Sequence, residues 1–149
     1  MSASRVEWIL VGTDFSAPSR RALELAAEVG RDRGSSILLL HVIVPEGVEE
    51  TASLMGLDPR KVRDRLQQER EGELRALAST VSGVPVEPVL SWGHPVAEIL
   101  RKAREFAVDW IVVGMAGRSA GMEQMLFGGT AEKVLRAAPC PVLCVPFTR

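Results

Sequence analysis

Four short stretches of the chain are almost continuously apolar: Trp8 to Gly12 (WILVG), Ile37 to Val44 (ILLLHVIV), Trp110 to Gly114 (WIVVG) and Pro141 to Pro146 (PVLCVP). Runs of this length without polar alternation predict strands covered on both faces. A fifth stretch, Val84 to Leu90 (VPVEPVL), is interrupted by Pro85 and Pro88. Proline has no N–H to give to a ladder, so this strand is expected at a sheet edge.

Between these runs the apolar positions recur with helical spacing. Ser19 to Val29 carries Ala22, Leu25, Ala26 and Val29 on one face, with Gly34 as a stop. Arg60 to Val81 carries Val62, Leu66, Leu74, Leu77 and Val81; Pro95 to Phe106 carries Val96, Ile99, Leu100 and Ala103 behind a proline suited to a first turn. Thr130 to Ala138 is a shorter helix ended by Pro139. Strict alternation of strand and helix predicts an α/β domain: a parallel sheet, helices on both faces and right-handed crossovers. The 149 residues suit one domain. Pro45 to Pro59 is the one long connection, of the kind that serves as a lid or partner surface or that holds a short helix.

Composition narrows the classes of function. The net charge is -1, without the clustered basic excess of a nucleic-acid footprint, so no nucleic-acid partner is expected. The basic run Arg60 to Arg65 is followed by Glu69, Glu71 and Glu73 and reads as a solvated helix face. No stretch reaches the ~18 apolar residues of a membrane span. Met1 to Glu7 lack a signal-peptide core, so no membrane association and a cytoplasmic location are expected. On a strand, Cys140 and Cys144 would share a face about 13 Å apart at ~3.3 Å per residue. That is too far for a disulfide, and the spacing is not a zinc pattern, so both read as inert thiols.

In an open α/β sheet, ligands bind beyond the carboxyl ends of the strands, where strand order reverses. The first strand ends in Gly12-Thr13-Asp14-Phe15-Ser16. Asp14 there is either an acceptor for a sugar hydroxyl or amine, or a helix cap, a task Ser16 can also perform. The fourth strand leads into Gly114, Gly117, Arg118 and Gly121, then Gly128, Gly129 and Thr130. This is either a phosphate cradle completed by the dipole of the following helix or a surface loop using glycine for its backbone freedom. Neither GxxxxGK[ST] nor a GxGxxG after the first strand is present, which disfavours a P-loop NTPase or nicotinamide enzyme. Of the two histidines, His41 lies inside an apolar strand and reads as a core residue. His94 precedes Pro95, at a helix start or near the crevice. Neither belongs to a recognisable catalytic spacing, so no catalytic residue is assigned.

VGTDFS after the first strand, LLLHV in the second, and VVGMAGRS…FGGTAEKVLRAAPCPVLCVP at the end resemble the universal stress proteins across essentially the whole chain. The resemblance implies a Rossmann-like, open five-stranded parallel sheet of order 3-2-1-4-5. It also implies a homodimer formed by antiparallel pairing of the last strand, here Pro141 to Pro146. Members that bind ATP carry G-x2-G-x9-G-[S/T] after the fourth strand. Carried over, the resemblance places an adenine nucleotide (ATP or AMP, with Mg²⁺ on its phosphates) against Asp14 and the Val42 backbone. Gly12 and Thr13 would line the base, and Val113, Gly114, Gly117, Arg118, Gly128, Gly129 and Thr130 would surround the phosphates.

The chain departs from that motif twice. Ten residues separate Gly117 from Gly128, and the position after Gly128 is Gly129, with Thr130 one residue later. Thr130 then either supplies the hydroxyl or caps the helix. The expectation is a nucleotide-binding stress-response or signalling protein with at most slow hydrolysis. The alternative is a nucleotide-free dimeric interaction module of the same family. An enzyme acting at the α-phosphate is disfavoured, since no SGGxDS-type loop follows the first strand.

Overall fold

The computed structural model describes residues 5–115 and 129–147. Five strands, β1 (Trp8–Thr13), β2 (Ser36–Ile43), β3 (Val86–Trp92), β4 (Trp110–Met115) and β5 (Val142–Pro146), pair in parallel in the order β3-β2-β1-β4-β5. Among the described residues they alternate with α1 (Ala17–Arg33), α2 (Val48–Met55), α3 (Pro59–Ala78), α4 (Pro95–Glu105) and α5 (Thr130–Ala137).

Successive side chains of a strand point to opposite faces, and the two faces are separately filled. Ile9, Val11, Ile37 and Leu39 pack beneath α1 and α3 with Leu23, Leu74 and Leu77. Leu10, Leu38, Leu40 and Val42 pack beneath α4 and α5 with Ile99, Leu100 and Val134. Two-sided burial is why β1 and β2 are apolar without alternation; each buried leucine contributes roughly 1.5–3 kcal/mol. Cys140 and Cys144 both pack at the margin of the α4/α5 layer, as free thiols on one face. Burial pushes both thiols above their ordinary pKa, with Asp109 adding to the effect at Cys140, so neither is a ready nucleophile.

The proline-bearing strand is an edge, as expected, but it runs two residues later, over Val86–Trp92. Val84 sits against Gly30 of α1, where an added Cβ would come within 2.8 Å of it, so that residue packs on the helix rather than in the ladder. Odd-numbered residues of this strand region face β2: the Pro85 carbonyl accepts the Ile37 N–H, and the Gly93 N–H donates to the Ile43 carbonyl. Pro88 therefore turns its missing N–H toward the open edge, where no ladder bond is lost.

Pro45 to Pro59 is not a bare loop. It contains α2, fastened by buried Val48 and Ala52 and bounded by Gly47 and Gly56, both left-handed. Without a side-chain N-cap this helix carries no standard start signal in the sequence.

One close approach positions everything that follows. A Cβ on Gly114 would lie 2.4 Å from the Pro18 carbonyl oxygen and 2.8 Å from the Ser19 nitrogen, so the end of β4 runs against the first turn of α1. The obstacle is backbone and cannot swing aside. Gly114→Ala is expected to lower the free energy of unfolding by roughly 1–3 kcal/mol, read as a drop in the urea midpoint at unchanged slope; an unchanged midpoint would refute the contact.

Candidate functional site

The strand order reverses between β1 and β4, so the crossovers leave these neighbours in opposite directions and a crevice opens at their carboxyl ends. A cavity of about 380 Å³ occupies it, within the range of about 300–1,000 Å³ common for small-molecule sites. Gly12 forms part of its floor; a Cβ there would meet the Ile99 side chain at 3.2 Å.

Of the residues singled out in the sequence, Gly12, Thr13, Asp14, Val42, Val113, Gly114 and Thr130 line this one cavity. Gly129 is described but does not line it. Gly117, Arg118 and Gly128 lie outside the described residues. Pattern reading missed Pro18, Ser19, Leu40, Pro95, Ile99 and Ala131. Leu40 shares a strand face with Val42, and Ile99 lies one helical turn after Pro95, so periodicity carried some of that signal. Which face turns toward the crevice depends on the fold.

The two readings of Asp14 can now be separated. Ser16 is the N-cap of α1, its side chain accepting from the Ser19 N–H. Asp14 Oδ1 accepts the Ser16 backbone N–H at 3.0 Å and also the Ser16 hydroxyl. Among the described residues, Oδ2 has no such donor. Asp14 thus shapes the turn with one oxygen and, lining the cavity, keeps the other as an acceptor without a donor among the described residues. Lost solvation on its walled side pushes its pKa up, but the donors from the Ser16 hydroxyl and N–H outweigh this and hold the carboxyl below its ordinary value of 3.8. It is an anion, and an acceptor only, at neutral pH.

The Val42 backbone is placed by register. Even-numbered residues of β2 aim their amide groups at β1, as the Ser36 N–H to Glu7 carbonyl bond shows, and the last β1 pair is Thr13 with His41. Val42 lies one step beyond. By the pattern of Gly93 N–H to Ile43 carbonyl, the amide in line for the Val42 carbonyl is that of Phe15. That amide instead donates to Thr13 Oγ1 at 3.0 Å.

Three helix N-termini point at the same space: α1 through Pro18 and Ser19, α4 through Pro95, α5 through Thr130 and Ala131. Their partial positive ends favour an anion there. The N-cap of α5 is Gly129, with no side-chain cap bond, so Thr130 does not cap the helix and lines the cavity instead. Gly114 lines the cavity as well, but its missing Cβ is already required by Pro18, so packing alone accounts for that glycine.

The sequence profile of the Universal stress protein family matches residues 6–146. The chain belongs to the universal stress protein family. It is 34% identical over 145 residues to universal stress protein YxiE of Bacillus subtilis, with 92% of this chain and 97% of that one covered. Among solved structures it is similar to MJ0577 of Methanocaldococcus jannaschii (TM-score 0.78, 23% identity, 98% and 99% of the two chains). It is also similar to a universal stress protein in complex with cAMP (0.64, 23%, 96% and 98%) and to a family member from Arabidopsis thaliana with AMP bound (0.57, 21%, 95% and 92%). At these identities the solved structures establish a shared fold.

Neither histidine of this universal stress protein enters the cavity lining. His94 is the N-cap residue of α4, makes no cap bond with its side chain and lies 3.4 Å from Glu46 Oε1. His41 is buried on the opposite face of the sheet, its Nδ1 2.7 Å from the Thr13 carbonyl oxygen and its ring in tilted contact with that of Phe15. The core reading holds, with a polar partner included. Burial pushes the His41 pKa down, the bond to Thr13 opposes it, Arg70 adds to the fall, and Asp14 and Glu73 oppose it; the net position is below the ordinary 6.5. A histidine depressed by folding favours the native state above its unfolded pKa and loses that contribution as pH falls through the folded value. Thermal unfolding is therefore expected to show a loss of stability as pH drops from 7.5 to 5, and His41→Asn is expected to lack that component. Parallel melting profiles for the two proteins would refute it.

Proposed function

We propose that this universal stress protein binds an adenine nucleotide, ATP or AMP, in the crevice between β1 and β4 and uses it in a stress-response or signalling role, with at most slow hydrolysis. One observation carries the reading: Asp14, whose Oδ2 has no donor among the described residues, and Val42, one step past the last β1 pair, line the same cavity as the N-termini of α1 and α5. Asp14 is placed to take hydrogens from ribose hydroxyls, the Val42 carbonyl to take one from an exocyclic amine, and the helix ends to meet phosphate. The apolar floor of Leu40, Val42, Ile99 and Val113 suits the faces of a base. Adenine nucleotides in two similar solved structures support the same ligand class. Mg²⁺ would then ride on phosphate oxygens with few protein ligands; among the described residues no cluster of three His, Cys, Asp or Glu could hold it.

Titration calorimetry of nucleotide-stripped protein with ATP and Mg²⁺ is expected to give saturable binding. Asp14→Ala should weaken it about ten- to a hundredfold, the loss of a hydrogen bond to a charged group. Absence of heat from a folded protein would overturn the reading in favour of the nucleotide-free interaction module. The observation that favours that module is the exposure of Leu54, Met55 and Leu57 around α2.

The proposal includes a homodimer through β5. This strand is an edge with Leu143 exposed, and an unpaired apolar edge invites a second strand. Sedimentation velocity is expected to show a dimer for the parent protein and a monomer for Leu143→Glu; identical profiles would dismiss the β5 interface.

A further inference from the structure

We infer that His41, from the sheet face opposite the crevice, is the positioning residue for the turn that carries Asp14 and uncovers the Val42 carbonyl. The inference rests on the nucleotide reading above for its consequence, though not for its geometry.

Phe15 has φ +65°. Bulky residues avoid this left-handed region, because Cβ crowds the following carbonyl. Such a conformation persists where neighbours over-determine it, and three neighbours do so here. The Phe15 N–H donates to Thr13 Oγ1 at 3.0 Å. The Phe15 carbonyl accepts from Arg20 Nε of α1 at 3.1 Å. The Phe15 ring lies on the His41 ring with centroids 4.5 Å apart and planes tilted by 44°. His41 Nδ1–H then donates to the Thr13 carbonyl at 2.7 Å, so one imidazole grips both sides of the Asp14 peptide segment.

Proton accounting makes the arrangement one-directional. The Ser19 hydroxyl donates to the Ser16 carbonyl at 2.9 Å, so at its 3.0 Å contact with Thr13 Oγ1 it is the acceptor. Thr13 Oγ1 gives its proton to Ser19 and keeps a lone pair for Phe15 N–H. The Thr13 and Ser19 hydroxyls and the Phe15 amide are thus committed within the turn, and among the described residues Asp14 Oδ2 has no donor.

The consequence for the site follows from sides. Asp14 and Ser16 line the cavity; Phe15 between them does not, and packs into the α1/α3 layer. The turn is anchored behind the sheet by Phe15 and His41, and presents Asp14 in front. The same kink carries Phe15 N–H away from Val42, whose carbonyl it would otherwise cover as the ladder continued. A chain released from His41 keeps only the Thr13 Oγ1 and Arg20 contacts against the strain of φ +65° at Phe15, and relaxing it both swings Asp14 and re-covers Val42. The charged groups facing His41 are Arg70 and Glu73 of α3 and Asp14 of the turn. Nδ1–H is present in the neutral imidazole and in the imidazolium, so the grip does not need a change of charge.

The test uses the full chain at pH 7.5, with His41→Leu, which removes the donor and the ring contact, and His41→Asn, whose amide N–H can stand where Nδ1–H does. In ligand-free protein, amide hydrogen exchange at Phe15 and Ser16 is expected to quicken about tenfold in His41→Leu, with the middle of α1 unchanged, and to be restored in His41→Asn; such a step matches one net hydrogen bond. Calorimetry with ATP is expected to show binding weakened about five- to tenfold in His41→Leu and within about twofold of the parent in His41→Asn. Where His41→Leu does not fold, His41→Phe, which keeps a ring against Phe15 but has no donor for the Thr13 carbonyl, carries the same two expectations. Unchanged exchange at both amides overturns the grip. Quickened exchange with unchanged affinity overturns its role in positioning the ligand. If the parent protein binds no adenine nucleotide, the nucleotide reading falls, and the exchange measurements alone decide whether His41 holds the turn.

Discussion

The structure depends on the burial of one parallel sheet on both of its faces. Because successive residues of a strand alternate sides, β1 and β2 must satisfy two helical layers at once, Ile9 and Val11 for one and Leu10 for the other. Polar residues interrupt those strands only at a cost: β1 has none before its last residue, Thr13, and His41 inside β2 is matched by the Thr13 carbonyl. Polar chemistry is thereby pushed to the strand ends. The reversal of strand order between β1 and β4 then decides which of those ends form a crevice rather than a covered corner.

The site inherits its properties from that constraint. The helix N-termini gather there because every right-handed crossover starts from a strand's carboxyl end. The floor is apolar because it is the α4/α5 face of the core surfacing between β1 and β4. Gly114 shows how packing and binding share a residue: its hydrogen is required by the Pro18 carbonyl, and the same bareness opens the cavity wall. A glycine in such a place is weak evidence for a ligand, whereas an acidic side chain that leaves one oxygen without a donor among the described residues is stronger. Asp14 is in that position.

The elements differ in how plainly the sequence encodes them. The five strands and their alternation with helices were legible, because two-sided burial writes itself as uninterrupted runs such as ILLLHVI. The edge position of β3 was legible from its prolines, but its boundaries were not. Val84 is as apolar as any strand residue, yet it packs over Gly30 of α1, a contact between residues far apart in sequence. Helix α2 escaped because it begins at a left-handed glycine instead of a capping side chain. At the site, Asp14, Gly12 and Val42 were legible from strand ends and family motif together, whereas Pro18, Pro95 and Ile99 were not. A helical residue reaches a crevice by the direction its helix takes across the sheet.

What the sequence by itself determined was therefore the local and periodic part. The class of fold, the elements, the acidic turn after β1 and the membership of a family all reside in near neighbours, whose spacing directly reflects burial. The tertiary structure alone decided which oxygen of Asp14 has no donor among the described residues, that Gly114 answers to a helix backbone, and that Thr130 lines the cavity instead of capping its helix. It also turned His41, one more residue of an apolar strand, into a partner of Thr13 and Phe15. Each of these depends on which distant groups meet, because hydrogen bonds and close contacts act over ångströms in space, and the separation of residues along the chain does not specify that distance.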